Sequence, residues 1–194
     1  VQWMTAASGV LHKEFHETEW AKDGGIFQMV QLWVNLPAKD KMVPPAYKSI
    51  KNSEIQEITL DNGKLRLLAG EYNGATGYKS KYLPLDYYDI HLNPNSSIVL
   101  DTDSNSSIMM FTLLGDAYIS GELIKEKTAV KLSQGNSVEI KSTDTKAQVL
   151  FVSSTRLDES IAWGGPIVMN TKEELNKAFQ DLKDGTFLKT GIQY

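Results

Sequence analysis

Cysteine is absent from the 194 residues, which excludes disulfides, thiolate metal sites and cysteine nucleophiles together. That composition suits a reducing compartment. Histidine is scarce, with His12, His16 and His91 making up all three. Clustered basic residues are lacking as well: the formal net charge is −4 and no Lys/Arg run occurs. A direct nucleic-acid reader is therefore not expected, since phosphate binding needs grouped cations. No apolar stretch approaches the ~20 residues of a membrane span. Val1-Gln2-Trp3-Met4-Thr5 carries no basic-then-apolar leader pattern. The expectation is a cytoplasmic protein with no membrane partner. There is no initiator methionine, and the first residues read as strand, so the chain is expected to open in the middle of a fold.

A hydrophobic content of 41% over this length allows one sizeable core, or one domain with part of another. From Ser53 onward short strands follow one another, punctuated by Asn62-Gly63, Gly115-Asp116, Ser120-Gly121 and Gln134-Gly135-Asn136. Near-regular short strands with glycine turns predict an all-β sandwich or closed barrel. Within Tyr87–Leu92 the alternation puts Tyr88, Ile90 and Leu92 on one face and Tyr87, Asp89 and His91 on the other. The long connection from Glu71 to Pro84 carries Tyr72, Tyr78 and Tyr82, placed to line a pocket or to pack over a sheet edge. Phe27 to Leu36 reads as a strand buried on both faces, with Trp33 in the core. Lys39-Asp40-Lys41 reads as a solvated turn. The period changes near the end: Leu175, Ala178, Phe179 and Leu182 follow helical spacing. A capping box begins at Asn170 or Thr171, and Gly185 is the stop.

The chemistry concentrates in His12-Lys13-Glu14-Phe15-His16-Glu17. In an extended segment His12, Glu14 and His16 share one face, and an imidazole and a carboxylate so placed can grip one divalent ion. His12 and His16 would lie ~13 Å apart along a strand, too far to converge on a single ion without a bend. The expected site is thus a two-ligand half-site, His12 plus Glu14, with His16 a spare nitrogen. The zinc-protease pattern is absent, because Lys13 stands where Glu would follow the first His. Asp101 to Ser107 alternates oxygen ligands but lacks the glycine and distal glutamate of a calcium loop, and reads as a polar turn. His91 is expected to be structural or exposed.

Three stretches together resemble the pirin family. They are Val1-Gln2-Trp3-Met4-Thr5-Ala6-Ala7-Ser8-Gly9-Val10-Leu11-His12-Lys13-Glu14, then Gln31-Leu32-Trp33-Val34-Asn35-Leu36-Pro37-Ala38-Lys39-Asp40-Lys41-Met42-Val43-Pro44-Pro45-Ala46-Tyr47, and Ile161-Ala162-Trp163-Gly164-Gly165-Pro166-Ile167-Val168-Met169-Asn170-Thr171. Ser160 and Ile167 depart from residues common in the family, Pro and Phe respectively. The resemblance implies an all-β fold of the cupin double-stranded β-helix (jelly-roll) type. It divides the chain into 1–29 as remnant strands of an N-terminal cupin barrel, 30–166 as the C-terminal cupin barrel, and 167–194 as a C-terminal helix and tail.

The resemblance further implies an iron-type or other divalent metal in the N-terminal barrel, held by three histidines and one glutamate. His12 and Glu14 match the last two of those ligands. The first two belong to a His-x-His stretch, and this sequence contains none. A quercetinase-type dioxygenase acting on a flavonol-like small molecule is one implied function, with Glu14 as ligand and catalytic base only where a metal is bound. Weak or no catalysis is expected from so incomplete a site. The alternative is a non-enzymatic regulatory module acting through a protein partner. Open strand edges of a partial barrel predict a homodimer.

Overall fold

The computed structural model describes residues 1–192. In chain order, β1 (Gln2–Thr5), the short helix α1 (Thr18–Asp23) and β2 (Ala46–Ser49) come first. A nearly unbroken run follows: β3 (Gln56–Leu60), β4 (Gly63–Ala69), β5 (Glu71–Tyr72), β6 (Ala75–Thr76), β7 (Leu85–Leu92) and β8 (Ser97–Asp101). It continues through β9 (Ser106–Leu114), β10 (Ala117–Ile119), β11 (Glu122–Ile124), β12 (Ala129–Lys131), β13 (Ser137–Ser142) and β14 (Ala147–Thr155). Next come β15 (Ala162–Gly164), β16 (Ile167–Met169) and α2 (Lys172–Lys183). With 40% strand and 12% helix the chain is mostly β, as the strand pattern predicts. It divides into two compact units, one of Val1 with Ser49–Asp158, the other of Gln2–Lys48 with Glu159–Tyr194.

The first unit is a jelly-roll barrel of two antiparallel sheets. One has six strands in the order β12-β9-β14-β7-β4-β3; the other has four, β11-β10-β13-β8. Their inner faces alternate as period-two strands must. Leu65, Leu67, Tyr88, Ile90, Leu92, Met110, Val149 and Phe151 come from the larger sheet, and Leu100, Ile119, Val138 and Ile140 from the smaller. Each of these side chains, taken fully from water, stabilises the fold by roughly 1.5–3 kcal/mol. Two buried hydroxyls of this unit find carbonyl acceptors: Thr112 donates to Lys125 O at 2.5 Å and Ser142 to Asn93 O at 2.6 Å. Tyr88 stacks on Phe151 at 5.2 Å and meets Tyr72 edge-on at 5.7 Å, so bulky side chains occupy the barrel's interior.

Turn chemistry explains the connections. Ser120 (φ 48°) and Gly121 (φ 84°) form a two-residue loop joining paired Ile119 and Glu122, the mirror-image turn that matches strand twist. Asn73 (φ 45°) and Gly74 (φ 82°) do the same between β5 and β6. A small hairpin therefore stands inside the connection that reads from sequence as an irregular loop.

In the second unit β1 pairs with β2, β15 with β16, and α2 lies on the β15–β16 hairpin. Thr171 caps α2: its Oγ accepts from Glu174 N at 3.1 Å, while the Glu174 carboxylate accepts from Thr171 N at 2.9 Å. Leu175 and Phe179 lie close enough to Gly164 that a Cβ there would come within 3.2 and 3.1 Å of them. The apolar face is only partly covered, however, since Phe179 is 41% exposed.

Three expectations are corrected here. The stretch from His12 to His16, taken above as extended, and residues 27–36 are not strands. A strand persists when a neighbouring ladder takes its backbone donors and acceptors, and neither segment has one among the described residues. Trp33 is accordingly 56% exposed rather than core, and Ile26 is 97% exposed. Lys41, read as a solvated turn residue, is buried. Its ammonium donates to Asn35 Oδ1 at 2.8 Å and Leu36 O at 2.5 Å. Burial lowers its pKa, against the raising influence of Glu159 and Glu174.

Candidate functional site

His12 and Glu14 lie on an exposed, irregular segment between β1 and α1. Without a strand, no pleat forces His12, Glu14 and His16 onto one face. His12 and Glu14 make no hydrogen bond or ion pair among the described residues. His16 is engaged elsewhere: its ring packs against Phe27 at 4.7 Å and meets Trp20 edge-on at 6.1 Å. Glu17 serves as the N-cap of α1, accepting from Glu19 N at 3.1 Å and Trp20 N at 2.7 Å. The hydrogen bond from Trp20 N, then that from Glu19 N, holds its carboxyl below the usual glutamate value. Of the six residues, then, His12 and Glu14 are the free donor pair.

A second polar constellation, not anticipated as a unit, lies in the jelly-roll barrel. On β7, Asp89 and His91 share the face opposite Tyr88, Ile90 and Leu92, as alternation requires. Asp89 is buried, with its side chain 6% exposed. Its Oδ2 accepts from Arg66 Nη1 at 3.1 Å and its Oδ1 from Gln148 Nε2 at 2.8 Å. His91 Nε2 is 3.1 Å from Oδ1, in contact but off the axis of a hydrogen bond. Burial pushes the Asp89 carboxyl up, but His91, Gln148 and Arg66 together outweigh it and hold the group below the ordinary aspartate value. Arg66 is steadied in turn by Asn52 Oδ1 at 2.7 Å. Alternation in the sequence places Asp89 and His91 on one face. Their partners come from β4 and β14, strands distant in sequence, and no spacing rule reaches them.

Comparison with known proteins gives these placements a context. Residues 87–188 match the model of the pirin C-terminal cupin domain. The chain is 35% identical over 191 residues to a Pseudomonas aeruginosa protein named "Putative quercetin 2,3-dioxygenase PA2418", covering 97% of this chain and 67% of that one. The chain belongs to the pirin family. It is also 34% identical to human pirin, covering 95% of this chain and 63% of that protein. A crystal structure of quercetin 2,3-dioxygenase from Acinetobacter baumannii matches with a TM-score of 0.91 at 37% identity, over 96% of this chain and 66% of that one. The chain thus spans about two thirds of the length of these relatives and corresponds to the C-terminal part of pirin-like proteins.

As a pirin-type cupin related to quercetinase-type proteins, the chain can be tested for a metal centre by its donors. Among the described residues no group of three or more His, Cys, Asp or Glu is placed to hold an ion. Catalytic zinc sites, as a reference, use three protein ligands with one open position. One imidazole and one carboxylate on an exposed segment do not fit such a centre by themselves. In the jelly-roll barrel, His91 lies against Asp89 on the outer face, while the interior is packed with Tyr88, Phe151 and Met110.

Proposed function

We propose that this pirin-type chain acts, by itself, as a cupin scaffold with weak or no dioxygenase turnover. In this reading His12 and Glu14 supply two of the ligands of an iron-type divalent centre, and other donors complete it. The observation that carries the reading is the donor set: His12 and Glu14 stand exposed without a third ligand beside them among the described residues. The substrate class is flavonol-like, following the names of the relatives, and Glu14 acts as base only once a metal is held. The test is a flavonol-oxidation assay with added ferrous iron on the chain and on His12→Ala. The expected result is turnover at the level of iron in buffer for both. Turnover well above that level, abolished in His12→Ala, would contradict it.

A second reading is a regulatory module with a protein partner, and one observation favours it. Ile26, Phe27, Met29 and Trp33 are exposed apolar residues close together in sequence, and such groups favour burial against another surface. We take that surface to be a second copy of the chain, giving a homodimer. The absence of cysteine suits a cytoplasmic setting. No helix of the described chain is long and apolar enough to cross a membrane.

A further inference from the structure

At one end of the six-stranded sheet lies a cleft of about 400 Å³, lined by Gly63, Lys64, His91, Leu92, Asn93, Leu114, Lys146, Ala147 and Gln148. Its chemistry is one-sided. The lining holds two lysines, one histidine, one asparagine and one glutamine, with no carboxylate, in a chain of net charge −4. Lys64, His91 and Gln148 sit side by side across β4, β7 and β14, so three donor-bearing side chains form a row on the sheet. Lys64 is paired with Glu57 at 2.9 Å. The Lys146 ammonium and the Asn93 carboxamide make no hydrogen bond or ion pair among the described residues.

The walls are held by close backbone approaches. A Cβ on Gly63 would meet His91 O at 2.1 Å, and a Cβ on Gly115 would meet Lys146 O at 2.2 Å. Both separations are below any a side-chain carbon tolerates, so glycine at each position lets the chain carrying His91 or Lys146 close in. Beneath the row, Asp89 accepts one hydrogen bond on each oxygen, from Arg66 and Gln148, and touches His91 Nε2. The result is a shallow bowl in which Lys146 and the Asn93 carboxamide are lining donors without a partner among the described residues.

We propose that this cleft binds a small molecule through an oxyanion, a carboxylate or a phosphate ester. Lys146 carries the charge, Lys64 adds to it from its pair with Glu57, and the Asn93 carboxamide donates a hydrogen bond. Ammonium groups and oriented N–H donors on an oxyanion make charge-assisted contacts, stronger than neutral ones. The site lies wholly in the jelly-roll unit and uses neither His12 nor Glu14, so it stands apart from the dioxygenase question.

The test is a titration of the isotope-labelled chain, followed by amide NMR at fixed ionic strength, with inorganic phosphate and separately with benzoate. Saturable shifts confined to the amides of Gly63, Asn93, Lys146 and Gln148 are expected with at least one probe; the tighter probe identifies the anion. Lys146→Glu, at an exposed position, should weaken that binding about tenfold or more, while Lys172→Glu on α2 leaves it unchanged. His12→Ala should also leave it unchanged. Absent or unsaturable shifts, or equal losses from Lys146→Glu and Lys172→Glu, would overturn the proposal.

Discussion

Two glycines and one aspartate carry more of the barrel than their size suggests. At Gly63 the constraint is space, since φ is ordinary and the His91 carbonyl stands where a methyl would go. Gly115 combines the same crowding against Lys146 O with a φ of 71°. Gly63→Ala and Gly115→Ala are each expected to destabilise the chain by about 1–3 kcal/mol, the usual cost of forcing extra volume into packed structure. Urea denaturation with an unchanged m-value would measure it. Asp89 has a depressed native pKa, so its contribution is fully present above the unfolded value near about 4 and is lost as pH falls through the native one. Stability of the wild-type chain should therefore fall below roughly pH 4. Asp89→Asn should be less stable at neutral pH and should show a shallower acid limb, measurable by denaturant midpoints between pH 3 and 7 on the same scale. The sequence alternation places Asp89 opposite the core, but not against Arg66 and Gln148. Those contacts are long-range, so the residue's importance is not legible until the strands are ordered.

At the level of elements, turns and caps were readable and unpartnered segments were not. Ser120-Gly121 marks a turn in the sequence and makes one, because the mirror-image geometry demands positive φ at both positions. Asn73-Gly74 carries the same signal, hidden inside a tyrosine-containing stretch read as loop. The helix is legible from its cap: Thr171 and Glu174 exchange hydrogen bonds as the capping box requires. Thr171→Ala should cost about 1 kcal/mol, seen as faster amide exchange in the first turn of α2 while the jelly-roll amides stay protected. Residues 27–36 have the composition of a buried strand, yet composition states only a preference. Burial also needs a facing surface, and Trp33 and Ile26 remain open to solvent. Lys41 is the reverse case: its charged type suggests solvent, while Asn35 and Leu36 supply acceptors that let the ammonium go inside.

The whole chain is a cupin of the pirin family with a well-packed jelly-roll unit and an exposed donor pair outside it. The family resemblance supplied the fold from sequence, and the inward residues of β7 follow the expected alternation. Its exposed apolar run should drive self-association. Light scattering is expected to give twice the 21.6 kDa chain mass, and replacing Ile26 and Trp33 together by serine should return it to the single-chain value. A wild-type monomer would count against the homodimer. Metal content after ferrous loading and desalting tests the central claim most directly. With only His12 and Glu14 as donors, well under one iron per chain should remain, and His12→Ala should not change the figure. One tightly held iron per chain, lost in His12→Ala, would contradict the account.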